Sequence, residues 1–224
     1  MTSPAPTSDS PTSTGGVVVP SGARLVLATH NAHKVGELRA ILAPALPDLD
    51  PAAVLGARDV HAPEPVENGV TFEENALIKA RALAAATGLP AVADDSGLSV
   101  DVLGGAPGIF SARWAGRHGD DAANLDLLLA QLADIAPAHR GARFVCAAAL
   151  VTPDGTEHVE VGTLEGTLAA APRGENGFGY DPVLVPLGDT RTCAELTPEQ
   201  KNAISHRGQA FRALVPHVVA ALRA

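Results

Sequence analysis

Residues 89–102 read LPAVADDSGLSVDV, and the fold turns on how that stretch is parsed. Residues 90–93 form a short apolar run of the kind a strand shows when both faces are buried. Leu98-Ser-Val-Asp-Val102 alternates apolar with polar, the pattern of a half-exposed strand. Between them stand Asp94, Asp95, Ser96 and Gly97. Two adjacent carboxylates leaving a buried strand are costly unless a cation or metal meets them. In an α/β sheet, the carboxyl end of such a strand is also where ligands bind. Asp94 and Asp95 are therefore expected at a strand end facing a ligand, able to hold Mg²⁺ or take a proton from water. An ordinary Asp-Ser-Gly turn is the competing reading.

Outward from that stretch the chain keeps an α/β rhythm. Residues 25–28, LVLA, are a second buried-type run. Val35, Leu38, Ile41 and Leu42 then form one helical stripe that stops before Pro44. Residues 44–70, rich in Pro and Asp, read as a loop with one short strand. Thr71 and Glu74 make a capping box for a helix over 76–86, closed by Gly88. Residues 104–108 read as a loop, 124–132 as an apolar-rich helix, and 143–162 as a hairpin turning at Pro153-Asp154-Gly155. Residues 174–181 are a glycine-rich loop. Thr197 with Gln200, and Pro198 at the first position, opens another helix, and an amphipathic helix over 209–222 closes the chain.

Composition narrows the classes. The chain has 224 residues, 46% of them hydrophobic and 18% charged, enough for a real core and too little charge for disorder. A net charge of −9 disfavours a nucleic-acid coat protein. No apolar run reaches membrane-spanning length. Cys146 and Cys193 form no CxxC pair and read as two reduced, buried thiols. Residues 1–22, dominated by Pro, Ser, Thr and Gly, read as a disordered extension without the basic and apolar regions of a signal peptide. Residues 23–224 then make one domain.

Five segments carry candidate chemistry. Thr29-His-Asn-Ala-His-Lys34 lies where a buried strand passes into a helix, a turn that presents free N–H groups and a positive dipole to phosphate. It is neither a Walker A loop nor a dinucleotide fingerprint. The Asp94-Asp95 pair is the second. Asn75 and Lys79, four apart, share a face of the third segment's helix, with Glu64 and Glu67 in the loop before it. In the fourth, residues 174–181 (GENGFGYD), glycines permit close approach of backbone to ligand, and Phe178 or Tyr180 offers a stacking face. The fifth, Lys201-Asn-Ala-Ile-Ser-His206-Arg207, places three potential cations within seven residues of an acidic protein. Each segment has a plain structural explanation, as a cap, a turn or a solvated charged face. Jointly they are harder to dismiss. All three lysines of the chain, Lys34, Lys79 and Lys201, fall within these segments. Cations, carboxylates for a divalent ion and a stacking platform are what a nucleotide phosphate enzyme needs.

These residues resemble the inosine triphosphate pyrophosphatase family, the dITP/XTP pyrophosphatases. The matching stretches are LVLATHNAHKVGELRAIL (25–42), the block at 67–116 containing ADDSGL and GGAPGI, GENGFGYDPVLVP (174–186) and AELTPEQKNAISHRGQAFRAL (194–214). The resemblance implies hydrolysis of non-standard purine nucleoside triphosphates such as ITP, dITP and XTP to the monophosphate and pyrophosphate. It implies an α/β fold, a long twisted mixed sheet flanked by helices, with two lobes and a central cleft. It further implies Mg²⁺, a homodimer and a cytoplasmic location, with no membrane or nucleic-acid partner. By the same resemblance Thr29, His30, Asn31, Ala32, His33 and Lys34 bind phosphate, with His30 where the family has glycine. Asp95 holds metal and accepts a proton beside Asp94, and Ser96 touches substrate. Lys79 faces the phosphates, and Glu67 is a second metal carboxylate, with Glu64 and Glu74 as alternatives. Phe178, Gly179, Tyr180 and Asp181 frame the base, and Lys201, His206 and Arg207 read it.

Three other readings remain open at this point. One is a Maf-type pyrophosphatase preferring modified pyrimidines, and another is a nucleotide-binding regulator without turnover. The third is an aspartyl-phosphate phosphatase, although DDSG lacks the DxDxT spacing.

Overall fold

The computed structural model describes residues 16–29 and 32–223, with Ala32 and His33 by backbone alone. The readings placed on His30, on Asn31 and on residues 1–15 lie outside the described residues, as do those on the side chains of Ala32 and His33. Six strands form one sheet: β1 (Leu25–Leu27), β2 (Val54–Gly56), β3 (Ala91–Val100), β4 (Gly141–Val151), β5 (Glu157–Leu168) and β6 (Leu184–Pro186), in the order β2-β1-β3-β4-β5-β6. The first three run parallel and the last three add antiparallel, so the sheet is mixed, as expected. Among the described residues five α-helices flank it: α1 (Ala32–Leu42), α2 (Phe72–Thr87), α3 (Asp121–Gln131), α4 (Pro198–Ile204) and α5 (His206–Arg223).

The two-residue period of β3 and β4 assigns the helices to faces. Val92, Cys146, Ala148 and Leu150 pack against α1 and α5. Ala91, Ala93, Ala147 and Ala149 pack against α2 through Ala76, Ala80 and Ala84. Alanine against alanine brings α2 close to the sheet, and that approach delivers the neighbouring stripe of Asn75 and Lys79 to β3. A third apolar cluster, around Leu98, Val100, Phe144, α3 and Leu184, fills the other end of the long strands. Three apolar clusters thus share one spine of β3 and β4.

One expectation is corrected here. Residues 94–97 are neither a strand end nor a turn; they lie in the middle of β3, and Ser99 is buried along with Leu98 and Val100, so both faces of the strand are covered there. Strand β4 pairs with β3 along its whole length, from Ala91↔Val151 to Val100↔Ala142. Strand β1 does not: its last pair is Leu27↔Val92. From Asp94 onward one edge of β3 has lost its neighbour, so the acids stand at a strand end seen from β1 and at mid-strand seen from β4.

Local signals account for most boundaries. Thr71 Oγ1 caps α2 by accepting from the Glu74 amide. The Glu74 carboxylate takes the Val70 N–H, one residue before the position a capping box requires. Gly88, at φ +67°, closes the helix in a left-handed conformation that most residues resist. Helix α5 begins three residues earlier than its amphipathic pattern suggests, so His206 and Arg207 lie in its first turn. It lies flat on β5 because Gly162 has no side chain there; a Cβ would fall 2.1 Å from the His206 carbonyl oxygen. Among the described residues no helix is long and apolar enough to cross a membrane. Both cysteines are free and buried.

Candidate active site

Beyond the end of β1 a polar crevice opens, lined by Thr29, Lys34, Glu64, Glu67, Lys79 and Asp94 among others. The chain leaves β1 for α1 here and returns to the sheet on β1's other side as β2. That is the arrangement in which open α/β sheets bind ligands. Asp94 and Asp95 point to opposite faces of β3, as strand alternation demands. Lys34 Nζ bonds both oxygens of Asp94, at 3.1 and 2.9 Å, and Arg207 Nε bonds Oδ2 at 3.0 Å. Arg207 also reaches Ser96 Oγ at 3.2 Å, two residues along the same face. Burial works to raise the Asp94 pKa, but Lys34, Arg207 and Lys79 together outweigh it and hold the carboxyl well below the usual range.

Asp95 faces α2. Its Oδ2 accepts from Asn75 Nδ2 at 3.1 Å and its Oδ1 from the Ser96 amide at 3.0 Å. Lys79 Nζ sits 3.8 Å from Asp95 Oδ1 and 3.2 Å from Glu67 Oε1, an ammonium between two carboxylates. Here burial wins: the Asp95 pKa is raised, with Lys79 and Asn75 opposing and Glu67 assisting. The two adjacent acids are driven in opposite directions by their surroundings.

A second cavity adjoins the crevice on the α5 side of the sheet. Ser96, Phe144, Phe178, Tyr180, His206 and Arg207 are among its lining residues. Phe178 is 66% exposed and presents an open ring, with Lys201 Nζ 5.2 Å from its centroid. Tyr180, by contrast, is buried; its hydroxyl donates to the Ser111 carbonyl at 2.9 Å, so it props the loop instead of offering a face. Asp181 accepts the Phe178 amide at 2.8 Å and Lys201 Nζ at 2.5 Å. His206 stacks on Phe144, with ring centroids 5.0 Å apart. Burial, reinforced by Arg207 and Lys201, pushes its pKa down to about 3. It is therefore a neutral imidazole and not one of three cations, and its buried Nδ1 has no partner among the described residues.

The described candidates thus converge. Lys34, Asp94, Arg207 and Ser96 form a continuous chain of contacts from the crevice into the cavity. Lys79, Glu67 and Asp95 close one end, and Phe178, Asp181, Lys201 and His206 close the other. Asn75 carried a sequence signal, four residues before Lys79, but no role was read for it. Asp121 was missed; it lines the cavity and accepts the Gly179 amide at 3.0 Å, and nothing in its local sequence marks it.

Comparisons with known proteins place the chain in a family. Residues 25–217 match the model of the Ham1 family. A protein of Streptomyces coelicolor named dITP/XTP pyrophosphatase is 71% identical over 196 residues, covering 87% of this chain and 96% of that protein. The crystal structure of a nucleoside-triphosphatase, dITP/XTP pyrophosphatase, from Mycobacterium abscessus superposes with a TM-score of 0.72 at 54% identity, covering 86% of this chain and 99% of that one. A HAM1 protein from Coxiella burnetii superposes with a TM-score of 0.79 at 41% identity, covering 89% and 100%. With its ordered motifs, its mixed sheet and its joined crevice and cavity, the chain belongs to the Ham1 family.

Proposed function

We propose that this protein is a nucleoside triphosphate pyrophosphatase that hydrolyses ITP, dITP and XTP to the monophosphate and pyrophosphate. The observation that carries the reading is the junction at Arg207, where a crevice of cations and acids meets an aromatic cavity. The triphosphate lies along Lys34 and Lys79 and the first turn of α1, and the base enters beside Phe178 and His206. Water attacks the α-phosphorus, its proton passes to Asp95 and the α–β anhydride bond breaks. The raised pKa of Asp95 suits it to that transfer. Asp94, clasped by two cations, stays ionised and fixes Lys34 and Arg207.

The donor set fits Mg²⁺ bound together with substrate. Lys79 already shows that Glu67 and Asp95 share a place for positive charge. Two carboxylates plus phosphate oxygens are the usual environment of that ion, which keeps several of its waters. Among the described residues no group of three acids, histidines or cysteines could hold a metal by itself. Glu67 and Asp95 would hold Mg²⁺, which would offset phosphate charge as it develops.

Base choice rests on the donors that line the cavity beside Phe178, the neutral His206 and Arg207. A donor there meets the O6 of a 6-oxopurine. The amine of adenine would set donor against donor, costing on the order of a few kcal/mol. Homodimerisation and a cytoplasmic location belong to the same proposal, on the family resemblance alone. The test is a panel of ITP, dITP, XTP, ATP, GTP and modified UTP with Mg²⁺, read as monophosphate and pyrophosphate. Turnover confined to modified pyrimidines, or release of phosphate in place of pyrophosphate, would overturn the reading.

A further inference from the structure

We infer that Asn75 is a positioning residue for the reaction: it sets the Asp95 carboxylate and ties it to the loop that carries Glu67. The inference rests on the proposed role of Asp95. Asn75 is 1% exposed, and both ends of its amide are used. Its Oδ1 accepts the Gly69 N–H at 2.9 Å and its Nδ2 donates to Asp95 Oδ2 at 3.1 Å. This orientation follows from chemistry, since a backbone N–H only donates and a carboxylate only accepts. Gly69 is fitted to the contact: a Cβ there would fall 2.7 Å from Asn75 Oδ1 and 2.7 Å from Glu74 Cβ.

The loop before α2 is thereby pinned to the helix at three points, Glu67 to Lys79, Gly69 to Asn75 and Val70 to Glu74. One helical turn supplies Asp95 with an uncharged donor and an ammonium. The ammonium satisfies charge from 3.8 Å and leaves the plane of the carboxylate free to turn. Asn75 and the Ser96 amide each hold one oxygen at hydrogen-bond distance and remove that freedom. A carboxylate that must face water on one side and the loop of Glu67 on another needs such fixing, because small misplacements at a reacting group are expensive.

Three variants and a control separate this role from a structural one. Asn75→Asp keeps an acceptor for Gly69 but sets an oxygen against Asp95. Gly69→Ala disturbs only the loop contact. Asn75→Leu removes both bonds and keeps the test standing should Asn75→Asp not fold. The expected result for both Asn75 variants is a fall in kcat for ITP on the order of 100-fold, with KM changed far less. Gly69→Ala is expected to raise KM and spare kcat. Hydrogen exchange is expected to show the Gly69 amide protected in Asn75→Asp and fast in Asn75→Leu. If Asp95→Asn is inactive while both Asn75 variants keep kcat within threefold of the parent, the inference is overturned. An active Asp95→Asn would sink the underlying reading of Asp95 instead.

Discussion

Around Asp94 and Asp95 the charged side chains answer one another in pairs, Lys34 and Arg207 with one acid and Lys79 with the other. In the adjoining cavity Phe178 is open to solvent, and among the described residues Nδ1 of His206 has no partner. The crevice is saturated with its own charges, whereas the cavity keeps groups in reserve. A polyanion entering the crevice must exchange with interactions already made, so binding there is tuned by competition. A base entering the cavity completes contacts that were missing, so the cavity is suited to discriminate. Under the proposed function, affinity for the tail and choice of the head would be separated in space and joined at Arg207.

Four substitutions would break or sharpen that contrast. Asp95→Asn is expected to lower kcat by on the order of 10³-fold or more with an unchanged melting temperature, measured as pyrophosphate release from ITP. Arg207→Met strikes both regions at once by leaving buried Asp94 with Lys34 alone. Denaturant unfolding should show a loss of about 3 kcal/mol, and binding should weaken for ITP and ATP alike. Phe178→Ala is expected to act on the cavity alone, raising KM for ITP about tenfold through lost stacking while kcat holds. The mildest effect near neutral pH concerns His206. The unfolded chain protonates that imidazole near pH 6.5, and the folded protein does so only at about pH 3. The unfolded state therefore binds more protons between those values. Its contribution is complete above pH 6.5 and drains away as the pH falls toward 3. His206→Gln should flatten that part of the melting-temperature profile against pH.

Much of this was legible in the chain because local chemistry and global placement agree. Val35, Leu38 and Leu42 are the buried stripe of α1, and Thr197, Pro198 and Gln200 open α4 as their order suggests. The misreading of residues 94–97 has a clear cause. Acid, serine and glycine normally mark a turn, and only pairing with β4, a strand some fifty residues later, keeps them extended. The charge of His206 was misjudged for a similar reason. Its neighbours in sequence are cationic and exposed-looking, but α5 carries it under Phe144. Asn75 shares a helix face with Lys79 by its spacing, but nothing local reveals that Gly69 and Asp95 meet at its amide.

The bare backbone at Gly162 has a longer reach than its position on β5 suggests. It is the seat on which the front end of α5 rests, and that end bears His206 and Arg207. A single methyl group at this seat would act as a wedge beneath a lever, tilting both residues at once. Damage on a strand that lines neither the crevice nor the cavity would then surface, under the proposed function, as errors in base choice.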